Sequence, residues 1–236
     1  MPYVPPQPQP GGYGFGPPVP PAPSSAAGRG WLWALGGAGV ASVVWAAVVF
    51  ATGGFPGRDD GSPDLAGYTF REDICPDTDL SAAKKQYPEE KASPKSDAAT
   101  HKALDAMWCT TSLEPSGAQY SSATVTVEMW LYKATDPTAN FEAQYESFDQ
   151  RGDSGNTFSV RKVPGIGDVA YLVTPEEPRE TGSSAYLAVR DGWMTYQMSF
   201  SNYVSSSDTG VSEPDLSEIE EMLKQDTKAT LRKLGG

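Results

Sequence analysis

Histidine is almost missing from this chain of 236 residues, where His101 stands alone, and cysteine is limited to Cys75 and Cys109. One imidazole and no Cys-x-x-Cys leave no ordinary donor set for zinc. They also leave a Ser-His-Asp arrangement with a single candidate base, on a polar stretch between Thr100 and Lys102. Basic residues are scarce: 18 Lys and Arg face 30 Asp and Glu, for a formal net charge of −12. That shortage removes the basic footprint that nucleic acid needs, and it disfavours lying flat on anionic lipid. Companion motifs are missing as well. Ser81-Ala82-Ala83-Lys84 fits the Ser-x-x-Lys nucleophile pattern, but no Lys-Thr-Gly or Ser-Asp-Asn accompanies it. Gly165-x-Gly167-Asp168 falls between two expected strands and does not head a helix, so it is not a phosphate cradle. Asp149-x-x-x-Asp153-x-Gly155-Asn156 lacks the order and the closing glutamate of a calcium loop. No two of the many carboxylates stand out as a glycosidase pair. The residues name no catalytic set, no metal and no cofactor, and the chain reads as a non-enzyme.

Charge is absent altogether from Gly30 to Phe55, between Arg29 and Arg58. The core of that run, Trp31 to Ala51, is apolar or small apart from Ser42. As a helix it would extend about 31 Å, one bilayer core. A cleaved secretory signal would be shorter and would follow a basic segment. Val49-Phe50-Ala51 is a tolerable cleavage site, but thirty Pro-rich residues come first, and we expect a retained single-pass anchor in the cell membrane. Trp31 and Trp33 suit the interfacial belt. Gly37-x-x-x-Ala41 and Ala34-x-x-x-Ala38-x-x-x-Ser42 are small-residue spacings that allow a weak homodimer through the span.

Four segments follow. Residues 1–30 are a disordered Pro/Gly-rich tail with ten prolines before Gly28 and three Pro-x-x-Pro spacings. Residues 31–51 are the transmembrane helix, and 52–67 a flexible acidic linker. Residues 68–236 are one folded domain, long enough for an ordinary core. The flanking arginines nearly tie under the positive-inside rule, so the cysteines set the orientation. Both lie after the span, and an even pair behind an export-type segment reads as one disulfide, Cys75 to Cys109. The alternative is two buried free thiols in a cytoplasmic domain. The expected topology is therefore a cytoplasmic N-terminus and an extracellular C-terminal domain.

Within the domain, Leu80 to Tyr87 reads as a short helix stopped by Pro88, and Asp97 to about Ala106 as a second one. Trp108 to Leu113 reads as a strand carrying Cys109. Ser122 to Lys133 is the clearest strand: Val125, Val127, Met129 and Leu131 alternate with Thr124, Thr126, Glu128 and Trp130. Asp136-Pro137-Thr138 opens a helix to about Gln150, with Phe141, Tyr145 and Phe148 on one face. Thr157–Val163 and Asp168–Thr174 flank the turn Pro164-Gly165-Ile166-Gly167. Ser184–Arg190 and Trp193–Ser201 form a hairpin about Asp191-Gly192, pairing Val189 with Met194, Leu187 with Tyr196 and Ala185 with Met198. Ser212–Leu234 is a closing helix whose Ser212-x-x-Asp215 resembles a capping box. The expected class is α+β, an antiparallel sheet with helices on one face. Trp130, Tyr186 and Trp193 fall away from the apolar stripe and are the candidate ligand-binding residues.

Ile74-Cys75-Pro76, Trp108-Cys109 and Val163-Pro164-Gly165-Ile166-Gly167-Asp168-Val169-Ala170-Tyr171, behind a Pro-rich tail and a span, resemble actinobacterial extracytoplasmic envelope proteins and lipoproteins of unknown function. Those domains are distantly similar to the extracellular sensor domain of mycobacterial serine/threonine kinases. The resemblance implies a sheet with helices around a cleft. It supplies no functional residue beyond the cysteine pair, and this chain has neither a kinase domain nor a lipobox cysteine near its span. The expected function is binding of a ligand or partner at the cell envelope without catalysis. Two alternatives stay open: an envelope hydrolase using carboxylates, and a scaffold acting through the Pro-rich tail.

Overall fold

A computed structural model of the chain describes residues 62–151, 157–176 and 182–235. The tail, the 31–51 segment with its homodimer spacings, and most of the linker lie outside the described residues. Among the described residues, no helix is long and apolar enough to cross a membrane.

Eight strands make one antiparallel sheet: β1 (Glu89–Glu90), β2 (Lys95–Thr100), β3 (Leu104–Glu114), β4 (Ser122–Tyr132), β5 (Phe158–Lys162), β6 (Val169–Pro175), β7 (Ser184–Asp191) and β8 (Met194–Tyr203). Their order is β1-β3-β4-β8-β7-β6-β5. β2 also pairs with β3, further along the same edge as β1. Three α-helices accompany the sheet among the described residues: α1 (Ala83–Gln86), α2 (Thr138–Glu146) and α3 (Leu216–Leu234). The class is α+β.

Strand alternation builds the core. Val125, Val127, Met129 and Leu131 of β4 share a face with Leu187 and Val189 of β7 and with Met198 and Phe200 of β8. α3 lays Ile219, Leu223 and Leu231 on that face, and Ile74, Leu80 and Tyr87 complete the cluster. The Cys75–Cys109 disulfide ties the turn Cys75–Asp77 to the middle of β3, its Cα atoms 5.2 Å apart.

The helices are not all on one face, contrary to the sequence expectation. Ala188 and Tyr186 point opposite to Leu187 and Val189, since neighbours on a strand alternate. Phe141 and Tyr145 of α2 pack against Ala188, Tyr171 and Val173 on that second face. The reason is visible in β6 and β7, both of whose faces carry buried side chains: a strand apolar on both sides needs cover on both sides.

Other local expectations change too. Asp97–Ala106 is not a helix. Lys95–Thr100 is an edge strand, with Ala98 set opposite Met107 and packed on the core. Pairing along β3 outweighs the helical preference of an Ala-rich stretch. The first helix shrinks to Ala83–Gln86. The closing helix begins at Leu216, not Ser212; Asp215 is its N-cap, and Glu218 returns the bond to the Asp215 N–H. The hairpin keeps its faces but slips by two residues. Val189 pairs with Tyr196, Leu187 with Met198, Ala185 with Phe200, and Asp191 with Met194. The loop is Gly192-Trp193. Gly192 has φ 56°, and a Cβ there would lie 2.3 Å from the Asp64 carbonyl oxygen, so only glycine fits the first loop position.

Candidate functional site

α2 covers only part of the second face, over β5, β6 and β7. α2 reaches β8 through the Tyr145–Gln197 hydrogen bond; among the described residues, no side chain of β2, β3 or β4 belongs to the cluster under α2. Its side chains can be ordered from the strand register. One row runs Asp97, Trp108, Glu128, Gln197, Ala188 and Tyr171. The row on one side runs Ala99, Ala106, Trp130, Thr195 and Arg190. The row on the other side runs Lys95, Thr110, Thr126, Ser199 and Tyr186.

Glu128 therefore lies directly across from Trp108, and it shares its own strand with Trp130 two residues on. Direct neighbours of this kind have Cβ atoms about 5 Å apart, and the diagonal pair Trp108–Trp130 about 7–8 Å. Both indoles and Glu128 are half-buried. Among the described residues no hydrogen bond or ion pair reaches the Glu128 carboxylate. Burial alone pushes its carboxyl above the ordinary range, because nothing nearby compensates the charged form. The other charges on this face are differently placed. Arg190 is held by Asp168 at 2.8 Å and stands 3.9 Å from Glu142. Asp97 and Lys95 sit on the exposed edge strand.

Where the open face meets α2, a groove of about 250 Å³ is lined by Trp130, Tyr132, Asn140, Phe141, Tyr145 and Gln197 among others. It carries no carboxylate in its lining. The Tyr145 hydroxyl donates to Gln197 Oε1 at 3.3 Å and fixes the inner wall. The lining mixes aromatic rings with the amides of Asn140, Gln144 and Gln197, a combination suited to holding and orienting a ligand group.

The three candidates from sequence are not brought together. Trp130 lines the groove. Tyr186 lines a separate cavity of about 170 Å³ with Phe158, Val173 and Ser199, and packs edge-on to Phe148. In the register it is level with Thr126, four residues from Trp130, about 13 Å along the sheet. Trp193 leaves the face entirely: it occupies the hairpin loop, where its N–H donates to Asp64 O at 2.6 Å and its carbonyl accepts from Tyr132 N. Trp108, Glu128 and Gln197 were missed. The parity of Ser122–Lys133 already put Glu128 beside Trp130. Trp108 and Gln197 join them only through long-range pairing, which single-strand alternation does not specify.

The other motifs resolve as structure. Ser81 Oγ donates to Asp79 at 2.6 Å while Lys84 Nζ reaches Glu90 at 2.5 Å, so serine and lysine point to different carboxylates. His101 sits in the β2–β3 turn, its Nδ1 accepting from Ala103 N at 3.2 Å. Gly165, at φ 75°, fits the second central position of its turn. The oxygen-rich stretch after Asp149 falls largely outside the described residues. Among the described residues no His, Cys, Asp and Glu cluster is placed to hold a metal ion. No protein-family model, curated protein or solved structure matches the chain.

Proposed function

We propose that this is a single-pass membrane protein whose domain beyond the span binds a ligand or partner at the cell envelope, without catalysing a reaction. The observation that carries the reading is the outer part of the second sheet face, where half-buried Trp108 and Trp130 flank an unpaired Glu128 and Trp130 lines the α2 groove. Large side chains left half-exposed beside a groove are typical of recognition surfaces. The disulfide supports an extracytoplasmic setting, since such bonds persist in oxidising compartments. The kinship with actinobacterial sensor-like envelope domains belongs to the same proposal. The hydrolase alternative gains nothing from the groove, whose lining is aromatic, hydroxyl and amide.

The test is saturable binding of the full-length protein, in detergent micelles, to native envelope fractions. Trp108→Ala and Trp130→Ala should remain folded at the assay temperature, with a lowered unfolding midpoint, and lose the saturable component. Equal retention of wild type and both variants would remove the open face from the function.

A further inference from the structure

We infer that the group received by this face is the guanidinium of an arginine, carried on an extended basic peptide segment of a partner. The inference rests on the binding role proposed above and gives it a chemistry.

Glu128 is an acid in the wrong place for stability. It stands mid-strand on β4, half-buried, with an indole directly opposite and another two residues along. Removing a carboxylate from water without a partner is costly, and a Thr or Gln there would suit the sheet better. A cation arriving from outside removes that cost. Indole faces attract cations, and the attraction grows as the pair is desolvated. Among cations the guanidinium fits best. It is planar, is weakly hydrated, stacks on aromatic rings and pairs bidentately with a carboxylate. A compact ammonium would have to shed far more water to lie on an open face.

The surroundings specify an extended peptide. Thr110, Thr126 and Ser199 form a hydroxyl row beside the site: Thr110 and Thr126 share a hydrogen bond at 3.3 Å and Ser199 donates to Thr126 O at 3.3 Å, which leaves hydroxyl lone pairs to accept from the N–H groups of a backbone laid across the strands. Charge favours a basic segment: Asp97 shares the row with Glu128, Lys95 is the one cation of the neighbouring hydroxyl row and stands at its exposed outer end, and the chain as a whole is at −12. Arg190, the cation two strands away in the Trp130 row, is committed to Asp168 and does not compete. The acid surplus also steers basic partners toward the domain.

The experiment is titration calorimetry of the full-length protein in micelles, using a tetra-arginine peptide and its tetra-citrulline counterpart. Citrulline keeps the shape and loses the charge. The expected result is binding of the arginine peptide, with citrulline at least tenfold weaker. Glu128→Gln should erase that difference, Trp108→Ala should weaken the arginine peptide, and Glu72→Gln on an exposed loop should change nothing. Equal binding of both peptides, still lost in Trp130→Ala, would overturn the arginine assignment and leave the binding face in place. Arginine binding that survives Glu128→Gln would also overturn it, as general attraction to an acidic surface. No binding of either peptide, with envelope binding intact, would show that the ligand has another chemistry.

Discussion

Glu128 and Asp226 are both acids raised by burial, but for different ends. Glu128 has no partner, so its charge is a cost in the folded state. Its folded value lies above the ordinary one, which means stability is greatest at low pH and declines as pH rises through that raised value. Glu128→Gln should therefore have the higher thermal midpoint at pH 7, with the difference vanishing toward pH 4. A lower midpoint for the glutamine variant would mean that the carboxylate has a stabilising contact. Asp226 is structural. It is 1% exposed on α3, and its two oxygens accept from Ala82 N at 2.7 Å and Ala83 N at 2.9 Å, holding the start of α1 against the closing helix. Burial nevertheless pushes its carboxyl up to about 6. By the same sign its contribution is full below the ordinary carboxylate range and lost as pH rises through about 6. The midpoint of the wild type, relative to Asp226→Asn, should fall between pH 5 and pH 7. A difference independent of pH would mean that Asp226 is ionised at both ends of that range.

At the scale of elements, α2 decides how much of the second face stays open. It is held by aromatic packing: the Tyr145 ring lies 4.8 Å from that of Phe141 and 5.4 Å from that of Tyr171. Tyr145→Ala should cost about 3 kcal/mol in denaturant unfolding. It should also remove one wall of the groove, so that any ligand of the face binds more weakly. A loss under about 1 kcal/mol would show that α2 is not anchored through this ring. The existence of α2 was legible, because Phe141, Tyr145 and Phe148 recur at helical spacing. Its side of the sheet was not, since the apolar faces of β6 and β7 look like ordinary buried strands until they are paired. The parity of β4, β7 and β8 was legible for the same reason that their register was not. A two-residue slip leaves every face unchanged, so alternation alone does not choose between the two registers; in the observed one Gly192, at φ 56°, takes the first loop position and packs on the Asp64 carbonyl. β2 was misread because an exposed edge strand buries only Ala98 and leaves no alternation to find.

For the whole molecule, the disulfide links a segment that arrives early in the domain to the sheet on which the core is built. It closes a loop with a sequence separation of 34 residues. In the chain-entropy model such a loop is worth about 3–4 kcal/mol, so reduction should lower the unfolding free energy from denaturant titration by that amount, and the midpoint with it. An unchanged midpoint after complete reduction would assign the cysteines no mechanical role. The cysteine pair was legible from number and position alone. The proposed binding face was legible only as one of its tryptophans, because single-strand alternation does not say which strands pair, and β8 joins β4 from more than sixty residues further along the chain.

The most direct measurement combines thiol state and sidedness. Intact cells carrying the protein are treated with a membrane-impermeant reductant, then quenched and reacted with a maleimide mass tag. The expected result is no tag without reductant and two tags with it. Two tags without reductant, or tags appearing only after the cells are broken, would place the domain on the reducing side of the membrane and contradict it.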